Sequence, residues 1–254
     1  FMCHLASSYL LQGLNVLYIT LEMAEERIAE RIDANLLDVT MEDLHDMPKQ
    51  LYEGKITKLR EKTQGQLVIK EYPTASAHSG HFKSLMNELA LKKSFRPDVI
   101  FIDYLNICAS SRFKGGNISS YFYVKAIAEE LRGLAVEFNV PIFSATQTTR
   151  TGYVSTDIGL EDTSESFGLP ATADFMFALI SNEELEALGQ MKVKQLKNRY
   201  NDPSINRAFI IGVDRAKMKL YDVQQKAGDI VDSNQVDEKE DAYNKFSDFK
   251  LWPI

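Results

Sequence analysis

Two acidic residues in the 254-residue sequence stand where chemistry on a phosphate group would need them. Glu22 follows the apolar run Asn15–Thr20, and Asp103 ends a second apolar run, Asp98–Asp103. A carboxylate at the end of a buried strand can activate a water molecule as a general base, or hold Mg²⁺ directly or through water. Each residue also has a simpler interpretation, since Glu22 could complement the dipole of a following helix and Asp103 could merely end a strand.

A glutamine and a basic pair occupy comparable positions further along the chain. Gln147 follows the apolar run Pro141–Thr146, and its amide can both donate and accept, as a sensor of a γ-phosphate must. Lys197 and Arg199 alternate onto one face of an extended segment. That spacing suits a helper lysine and an arginine finger that reach a neighbouring subunit's triphosphate. The alternatives are a polar cluster that caps a loop and a solvated basic strand end.

Alternating apolar runs and helical patterns indicate the elements that position these residues. Strands are predicted at Asn15–Thr20, Leu67–Glu71, Asp98–Asp103 and Pro141–Thr146, and helices at Phe1–Gln12, Leu21–Leu37, Met41–Glu61 (as two short helices), His81–Lys93 and Tyr121–Phe138. This alternation predicts an α/β fold, with a mostly parallel sheet flanked by helices on both faces. Ligands bind such sheets at the carboxyl ends of the strands, so Glu22, Asp103 and Gln147 are expected to lie together.

The pattern changes after Thr151. A long loop is predicted over Thr151–Pro170, and four strands after it are expected to be antiparallel additions toward the C-terminus. They are predicted at Asp174–Ser181, Lys192–Lys197, Arg207–Val213 and Lys217–Val223. We therefore predict one domain over residues 1–227 and an acidic, polar tail over residues 228–254. The tail either docks on a partner protein or is a solvated end with a few residues packed back; its apolar residues are Phe246, Phe249, Leu251 and Trp252.

Composition and charge limit the class of protein. The apolar fraction of 44% is that of an ordinary globular domain, and no apolar run approaches the roughly 20 residues of a membrane span. Cys3 and Cys108 are too few for a disulfide framework, and Phe1–Gln12 lacks the basic leader of a signal peptide, so we expect a reducing, cytoplasmic setting. A net charge of −7 is unfavourable for non-specific DNA binding, so any nucleic-acid contact must come from a few local loops.

A phosphate-binding loop of the form GxxxxGK[ST] is absent from the sequence, because none of its 13 glycines precedes Lys-Ser or Lys-Thr. In a nucleotide site built on the strand ends above, this loop would come immediately before the first predicted helix, which begins at Phe1. We therefore expect the chain to be truncated just after such a loop. The alternative, from another class of proteins, is an oligomerisation or scaffold domain that has lost its nucleotide site.

Long blocks of the sequence carry a resemblance to a known family. They are YITLEMAEERIAERIDANLLDV (Tyr18–Val39), VIFIDYLNI (Val99–Ile107), DTSESFGLPATADFMFALIS (Asp162–Ser181), VKQLKNRYNDP (Val193–Pro203) and GVDRAKMKLYD (Gly212–Asp222). Through these blocks nearly the whole chain resembles the replicative helicases of T-even-type phages, within the DnaB-like superfamily. The resemblance implies a RecA-like fold for this domain. For the intact protein it implies a six-membered ring that unwinds DNA by hydrolysing ATP, or another nucleoside triphosphate, with Mg²⁺.

The resemblance also assigns roles to the residues singled out above. Glu22 is similar to the catalytic glutamate of the family, and Asp103 to the aspartate of the magnesium site. Gln147 resembles the glutamine that senses the γ-phosphate. Lys197 and Arg199 resemble the pair that acts on the neighbouring subunit's nucleotide, with Arg199 as the finger.

Two loops resemble the family's DNA-binding loops, which face the central channel. They are Arg112–Ser120 and Thr151–Asp162, and in or beside them Arg112, Lys114 and Arg150 are candidates for contact with DNA phosphates. The alternative for these three residues is ordinary solvated surface charge. The implied partners of the intact protein are single-stranded DNA, five further copies of itself, a primase and a helicase loader, in the host cytoplasm if a phage encodes it. This chain alone is expected to be inactive and at most weakly associated.

Two further interpretations stay open. A RecA-like recombinase would share the fold and the strand-end chemistry, although the placement of Leu21-Glu22-Met23 and the Lys197/Arg199 pair favour a helicase. His78 and His81 suggest a metal-binding module, but two histidines without nearby cysteines are more often loop residues.

Overall fold

The computed structural model describes residues 1–113, 118–148, 158–162, 168–202 and 205–224. The helices are α1 Met2–Leu11, α2 Glu25–Leu37, α3 Met41–His45, α4 Lys49–Lys62, α5 Ser79–Lys93, α6 Ser120–Phe138, α7 Gly168–Thr172 and α8 Glu183–Ala187. The strands are β1 Val16–Thr20, β2 Leu67–Glu71, β3 Val99–Asp103, β4 Ile142–Ser144, β5 Phe175–Ile180, β6 Gln190–Asn198, β7 Ala208–Asp214 and β8 Lys219–Asp222. Contacts divide the chain into the units Phe1–Val223 and Gln224–Ile254, and all of these elements belong to the first unit.

Four strands form a parallel sheet in the order β2-β1-β3-β4. β1 lies in the interior of this sheet, where Thr20 pairs with Glu71 of β2 on one side and with Asp103 of β3 on the other. β1 is buried along its whole length, and β3 is buried up to Asp103. Apolar, β-branched and aromatic runs of this kind form strands that are covered on both faces. The predicted parallel sheet is confirmed, and its strands lie within the ranges expected from the sequence.

Helices cover both faces of the parallel sheet. On one face, Ile28 of α2 belongs to a buried cluster that includes residues of α1 and Tyr18 of β1. On the other face, Phe82 of α5 and Ile127 of α6 belong to a second cluster with Ile19 of β1. Tyr18 and Ile19 enter different clusters because successive side chains of a strand point to opposite faces. Burying each of these large apolar side chains contributes roughly 1.5–3 kcal/mol.

The helices begin and end at residues suited to those positions. α1 ends before Gly13, which has a φ of +85° and whose N–H donates to the Leu10 carbonyl at 3.0 Å, as the sequence predicts. α6 ends at Asn139, which adopts the left-handed conformation that asparagine tolerates better than most residues. The helix predicted from Leu21 begins later, at Glu25, because a turn first carries the chain away from β1.

The two histidines that suggested a metal-binding module instead cap α5. The ring of His78 accepts a hydrogen bond from the N–H of Gly80 at 3.0 Å, and the ring of His81 accepts one from the N–H of His78 at 3.2 Å. Each thereby satisfies a backbone donor at a helix start that has no partner within the helix. Within the described ranges, no group of three or more His, Cys, Asp or Glu could hold a metal ion.

The strands after residue 174 form a second sheet, in the order β5-β6-β7-β8, and every neighbouring pair is antiparallel. The antiparallel strands expected from the sequence are therefore present, but they pair only with one another among the described strands. α7 begins inside the segment expected to be a loop, and α8 lies in a connection expected to be short. Both helices have five residues, too few for a helical pattern to show in the sequence. Asn182 caps α8 by accepting from the N–H of Leu185 at 2.8 Å.

α1 and α2 contact the second sheet. The rings of Phe1 and Phe177 lie 5.3 Å apart, and the Asn35 amide donates to the Met218 carbonyl at 2.6 Å. An apolar groove of about 420 Å³ lies between the start of α1 and the strands of this sheet, and no residue predicted to be catalytic lines it. The groove is therefore separate from the polar strand ends.

Several predictions from the sequence concern residues that the structure does not describe. They are the tail over residues 228–254, Lys114, Arg150 and most of the loop predicted over Thr151–Pro170. Among the described helices, none has the length and apolar character that crossing a bilayer requires.

Candidate functional site

Glu22 and Asp103 lie at the carboxyl ends of neighbouring strands. Thr20, the last residue of β1, pairs with Asp103, the last residue of β3. The N–H of Leu21 then donates to the backbone carbonyl of Asp103 at 2.8 Å, so the pairing continues one residue beyond the strand. Glu22 follows immediately. The structure thus brings together the two acidic residues that the sequence predicts to share a site.

The turn that carries Glu22 is held on both sides. The Thr20 hydroxyl accepts from the N–H of Met23 at 3.0 Å and donates to the Met23 carbonyl at 2.8 Å. The Thr74 hydroxyl donates to the Leu21 carbonyl at 2.7 Å. The Glu22 side chain is exposed, and no described residue forms a hydrogen bond or an ion pair with its carboxylate. A turn held by three hydrogen bonds therefore presents a carboxylate that has no partner among the described residues, which is the arrangement a general base requires.

One oxygen of the Asp103 carboxylate is occupied by a buried tyrosine. The Tyr18 hydroxyl donates to Asp103 Oδ2 at 2.9 Å, and the Cys3 thiol of α1 lies 3.9 Å from the same hydroxyl. Tyr18 is only 1% exposed. Burial, with the neighbouring Cys3 and Asp103, raises the pKa of Tyr18, so the phenol stays protonated and remains a donor. The other oxygen, Oδ1, has no hydrogen-bond partner among the described residues and remains available as a ligand.

Gln147 completes the set at the strand ends. β4 pairs with β3 so that Ser144 lies beside Ile102, which places the segment after β4 next to the end of β3. The Gln147 amide donates to the hydroxyl of Tyr104 at 3.1 Å, and Tyr104 directly follows Asp103. Gln147 is exposed, so its amide can still meet a ligand. The three predicted residues of the parallel sheet therefore lie at one end of it, as expected.

Lys197 and Arg199 occupy a different place. They lie at and just beyond the end of β6 in the second sheet, and no hydrogen bond or ion pair between described residues links them to Glu22, Asp103 or Gln147. Their side chains contact the C-terminal end of α7. Lys197 donates to the Pro170 carbonyl, and Arg199 donates to the Ala171 carbonyl at 3.0 Å. Their action on a nucleotide bound by another subunit stays a prediction.

Two charged residues that the sequence analysis missed, Asp174 and Arg132, lie beside this pair. Arg199 Nη1 lies 3.0 Å from Asp174 Oδ1, and Arg132 Nη1 lies 2.6 Å from the same oxygen. Burial raises the pKa of Asp174, but the two guanidinium groups outweigh it and lower the pKa overall. Burial, followed by the charge of Arg199, lowers the pKa of Lys197. No sequence signal could have found this cluster, because Arg132 is an ordinary helix residue far along the chain from Asp174.

The candidate DNA loop after β3 is anchored at its start by Glu130 of α6, another residue that the sequence analysis missed. Glu130 is 9% exposed, and its carboxylate accepts from the Ser110 hydroxyl at 2.6 Å, the Ser111 N–H at 3.0 Å and the Ser79 hydroxyl at 2.9 Å. Burial would raise the pKa of Glu130, but these hydrogen bonds outweigh it and lower the pKa. Arg112, which directly follows Ser111, forms an ion pair with Glu129 of the same helix α6.

Comparison with known proteins decides the family. Residues 1–228 match the family described as the DnaB-like helicase C terminal domain. The chain belongs to the DnaB-like helicase family. It is 45% identical, over 252 residues, to the DnaB-like replicative helicase of Enterobacteria phage T4. The match covers 96% of this chain and 53% of that protein. It is 34% identical, over 138 residues, to a probable plasmid replicative DNA helicase of Chlamydia trachomatis serovar L2, covering 52% of this chain and 28% of that protein.

The DnaB-like chain thus spans about half the length of the T4 relative. Solved structures agree on its fold. One is a DnaB-like replicative helicase, described together with its interactions with primase. That match has a TM-score of 0.70 and 16% identity, and it covers 88% of this chain and 54% of the helicase chain. A second, described as an ATPase domain, has a TM-score of 0.69 and 16% identity, and the match covers 86% of this chain and 78% of that one. At this identity the likeness concerns the fold alone, and it confirms the predicted RecA-like α/β architecture.

Proposed function

We propose that the complete protein is an ATP-dependent ring helicase that unwinds DNA at the replication fork by moving along single-stranded DNA. The observation that carries this proposal is the convergence of Glu22, Asp103 and Gln147 at the carboxyl ends of adjacent parallel strands. Membership of a family of replicative helicases supports it.

The cofactors of the proposed reaction are ATP, or another nucleoside triphosphate, and Mg²⁺. Mg²⁺ is usually held by one or two carboxylates together with water and substrate phosphates, and not by a cage of protein ligands. The site fits that mode, because Asp103 offers one oxygen while Tyr18 orients the other, and no larger ligand cluster exists among the described residues. When bound, Mg²⁺ would neutralise charge on the transferred phosphoryl group. Asp103 is the residue that would hold it, directly or through water.

Glu22 is the proposed general base. Its carboxylate is unpaired among the described residues and stands on a turn that three hydrogen bonds hold in place. It can therefore orient and deprotonate a water molecule without first breaking an ion pair. Gln147 is the proposed sensor, because its amide reaches Tyr104 at the end of β3 while its backbone leads into the following loop. A change at the γ-phosphate can thereby move that loop.

Lys197 and Arg199 are the proposed residues that act in trans. In a hexamer they would reach the triphosphate bound by the neighbouring subunit, where an arginine finger contributes about a thousandfold or more to turnover. In the proposal, the phosphate-binding loop comes from a segment that precedes Phe1 in the complete protein. This chain alone is accordingly expected to be inactive and at most weakly associated.

DNA binding in the proposal depends on a few basic residues repeated around the ring. Arg112, Lys114 and Arg150 are the candidates, and six copies of such loops would reconcile DNA binding with a chain charge of −7. Arg112 is half exposed and paired with Glu129 across a surface, so DNA phosphates could displace that partner at small cost. A primase and a helicase loader are the proposed protein partners, in the cytoplasm of the host cell.

The experiment that tests the proposal compares Glu22→Gln with Glu26→Gln in the complete protein. Glu26 is an exposed glutamate one turn away that has no described partner, so it controls for loss of surface charge. We expect ATP hydrolysis that single-stranded DNA stimulates, a loss of about a hundredfold or more in Glu22→Gln, and normal activity in Glu26→Gln.

A rate of ATP hydrolysis that single-stranded DNA does not change, or one that persists in Glu22→Gln, would contradict the proposal. A scaffold domain would show no hydrolysis in any variant. A recombinase would hydrolyse ATP in the presence of DNA but would form filaments and fail to unwind a forked duplex.

A further inference from the structure

Asp174 and Arg132 lie beside the proposed finger, and neither is assigned a role by the family resemblance or by the strand-end site. We propose that Asp174 is a positioning residue that holds Arg199 extended from the end of β6, and that Arg132 sets how easily Arg199 leaves Asp174. This inference depends on the proposed function, because it assumes that Arg199 acts on a neighbouring subunit's triphosphate.

The first observation is that one carboxylate oxygen is shared by two guanidinium groups. Asp174 Oδ1 lies 2.6 Å from Arg132 Nη1 and 3.0 Å from Arg199 Nη1. Each guanidinium group is also tied to a carbonyl of α7 at 3.0 Å, Arg132 to Thr172 and Arg199 to Ala171. The two differ in their distance to Asp174, so Arg132 is its closer partner and Arg199 its more distant one.

The second observation is that cations converge on the end of a short helix. The carbonyls of Pro170, Ala171 and Thr172 accept from Lys197, Arg199 and Arg132 respectively. Carbonyls at a helix end have no partner within the helix, so they are ready acceptors for such donors. Three positive charges and the single negative charge of Asp174 leave an excess of two positive charges here. An excess of this kind attracts a polyanion such as a triphosphate.

The half-exposed setting makes release of Arg199 feasible. The side chains of Arg199 and Asp174 are 38% and 37% exposed, although the shared oxygen Oδ1 is itself buried, so water can solvate Arg199 when the two groups part. When Arg199 leaves, Asp174 keeps Arg132 as its counter-ion and is not left with an unpaired charge. Until then, Asp174 restricts the rotamers of Arg199, which reduces the entropy that the finger loses when it meets a phosphate.

These contacts predict that kcat falls in two variants for opposite reasons. In Asp174→Asn the finger loses its ion pair and is left with the Ala171 carbonyl, so it must be ordered further during each turnover and kcat falls. In Arg132→Met, Asp174 has lost its closer partner and retains Arg199 more strongly, so kcat falls for the opposite reason. In the double variant no carboxylate is present to retain Arg199, and the loss of Arg132 has no further effect on the finger.

The test is steady-state hydrolysis of ATP, with single-stranded DNA, by the complete protein and its variants. We expect each single variant to lower kcat about fivefold with KM nearly unchanged. The double variant should lose about fivefold, and not the roughly 25-fold loss that independent effects would give. Arg132→Lys should recover most of the loss, because a single nitrogen of Arg132 contacts both Asp174 and the Thr172 carbonyl. Arg215→Met, Glu186→Gln and their double variant, from an exposed ion pair between α8 and the turn after β7, are the matched controls.

Distinct results separate failure of this inference from failure of the proposed function. Arg199→Ala with normal hydrolysis would overturn the role proposed for Arg199, and with it this inference, whereas hydrolysis that survives in Glu22→Gln would overturn the proposed function. Two results would overturn only the positioning role, provided that Arg199→Ala abolishes hydrolysis. One is a normal kcat in Asp174→Asn and Arg132→Met. The other is a double variant in which the two losses of kcat multiply. If kcat falls in proportion to the unfolding temperature of the variants and Arg132→Lys recovers none of it, the cluster serves stability alone.

Discussion

The hydroxyl of Tyr18 donates to the carboxylate of Asp103 at 2.9 Å across two neighbouring strands. Tyr18 lies in the interior of β1 and Asp103 at the end of β3, so the bond runs from the core cluster around α1 to the polar end of the sheet. The contact orients Asp103 so that one oxygen points into the protein and the other remains available. A tyrosine that looks like a simple strand residue in the sequence therefore supports the proposed metal ligand.

Removing the Tyr18 hydroxyl should weaken Mg²⁺ binding. Tyr18→Phe keeps the ring packing with Phe101 but leaves Asp103 without its donor. Loss of a residue that orients a metal ligand costs about tenfold to a hundredfold in metal affinity. We therefore expect the Mg²⁺ concentration for half-maximal ATP hydrolysis by the complete protein to rise about tenfold or more. The control is Tyr9→Phe, another ring packed on Phe101, which should leave the Mg²⁺ requirement unchanged. Equal Mg²⁺ requirements in Tyr18→Phe and the unaltered protein would refute the orienting contact.

Replacement of Glu130 should destabilise the protein in a pH-dependent way. Its hydrogen bonds to Ser110, Ser111 and Ser79 favour the charged form and lower its folded pKa below the ordinary value of 4.5. Unfolding therefore requires the carboxylate to give up these bonds, and Glu130→Gln should lower the free energy of unfolding by about 1–3 kcal/mol at neutral pH. Because the folded pKa is the lower one, this contribution is complete above the ordinary pKa and is lost as pH falls through the folded value.

Urea unfolding at a series of pH values measures this effect. Glu137→Gln on the same helix is the control, since Glu137 is half exposed and pairs only with Lys83 among the described residues. The difference in free energy of unfolding between the unaltered protein and Glu130→Gln should shrink as the pH is lowered. Glu137→Gln should differ little from the unaltered protein at every pH. A difference for Glu130→Gln that stays constant or grows in acid would show that the carboxylate charge is not what stabilises this site.

Substitution of two glycines should change stability in opposite directions. A Cβ atom at Gly65, before β2, would lie 2.5 Å from the Leu14 carbonyl oxygen, so Gly65→Ala requires a backbone shift and should cost about 1–3 kcal/mol. Gly54 is exposed in α4 and has nothing within 4 Å of the same position, so Gly54→Ala should stabilise the fold by about 1 kcal/mol. Urea midpoints of both variants test this pair, and a stabilised Gly65→Ala would contradict the close approach at that turn.

Much of the candidate site could be predicted from the sequence, because it follows from local pattern and connectivity. The apolar runs that become β1, β3 and β4 each end next to a polar residue, and parallel strands place their carboxyl ends side by side. The meeting of Glu22, Asp103 and Gln147 needs nothing more than these two facts. The boundaries of short elements were harder: α7 and α8 are too brief to show a period, and α2 begins only after the turn at Leu21–Met23.

The sequence by itself determined the family and the parallel sheet, and it predicted the residues of the strand-end site. The tertiary structure alone decided which side chains support those residues. Tyr18 reaches Asp103, Arg132 reaches Asp174, and Glu130 reaches Ser110. Each pair joins elements that lie well apart along the chain. The meeting of such residues depends on how the helices pack on the sheet and on which face each side chain takes, and no local sequence pattern encodes that packing.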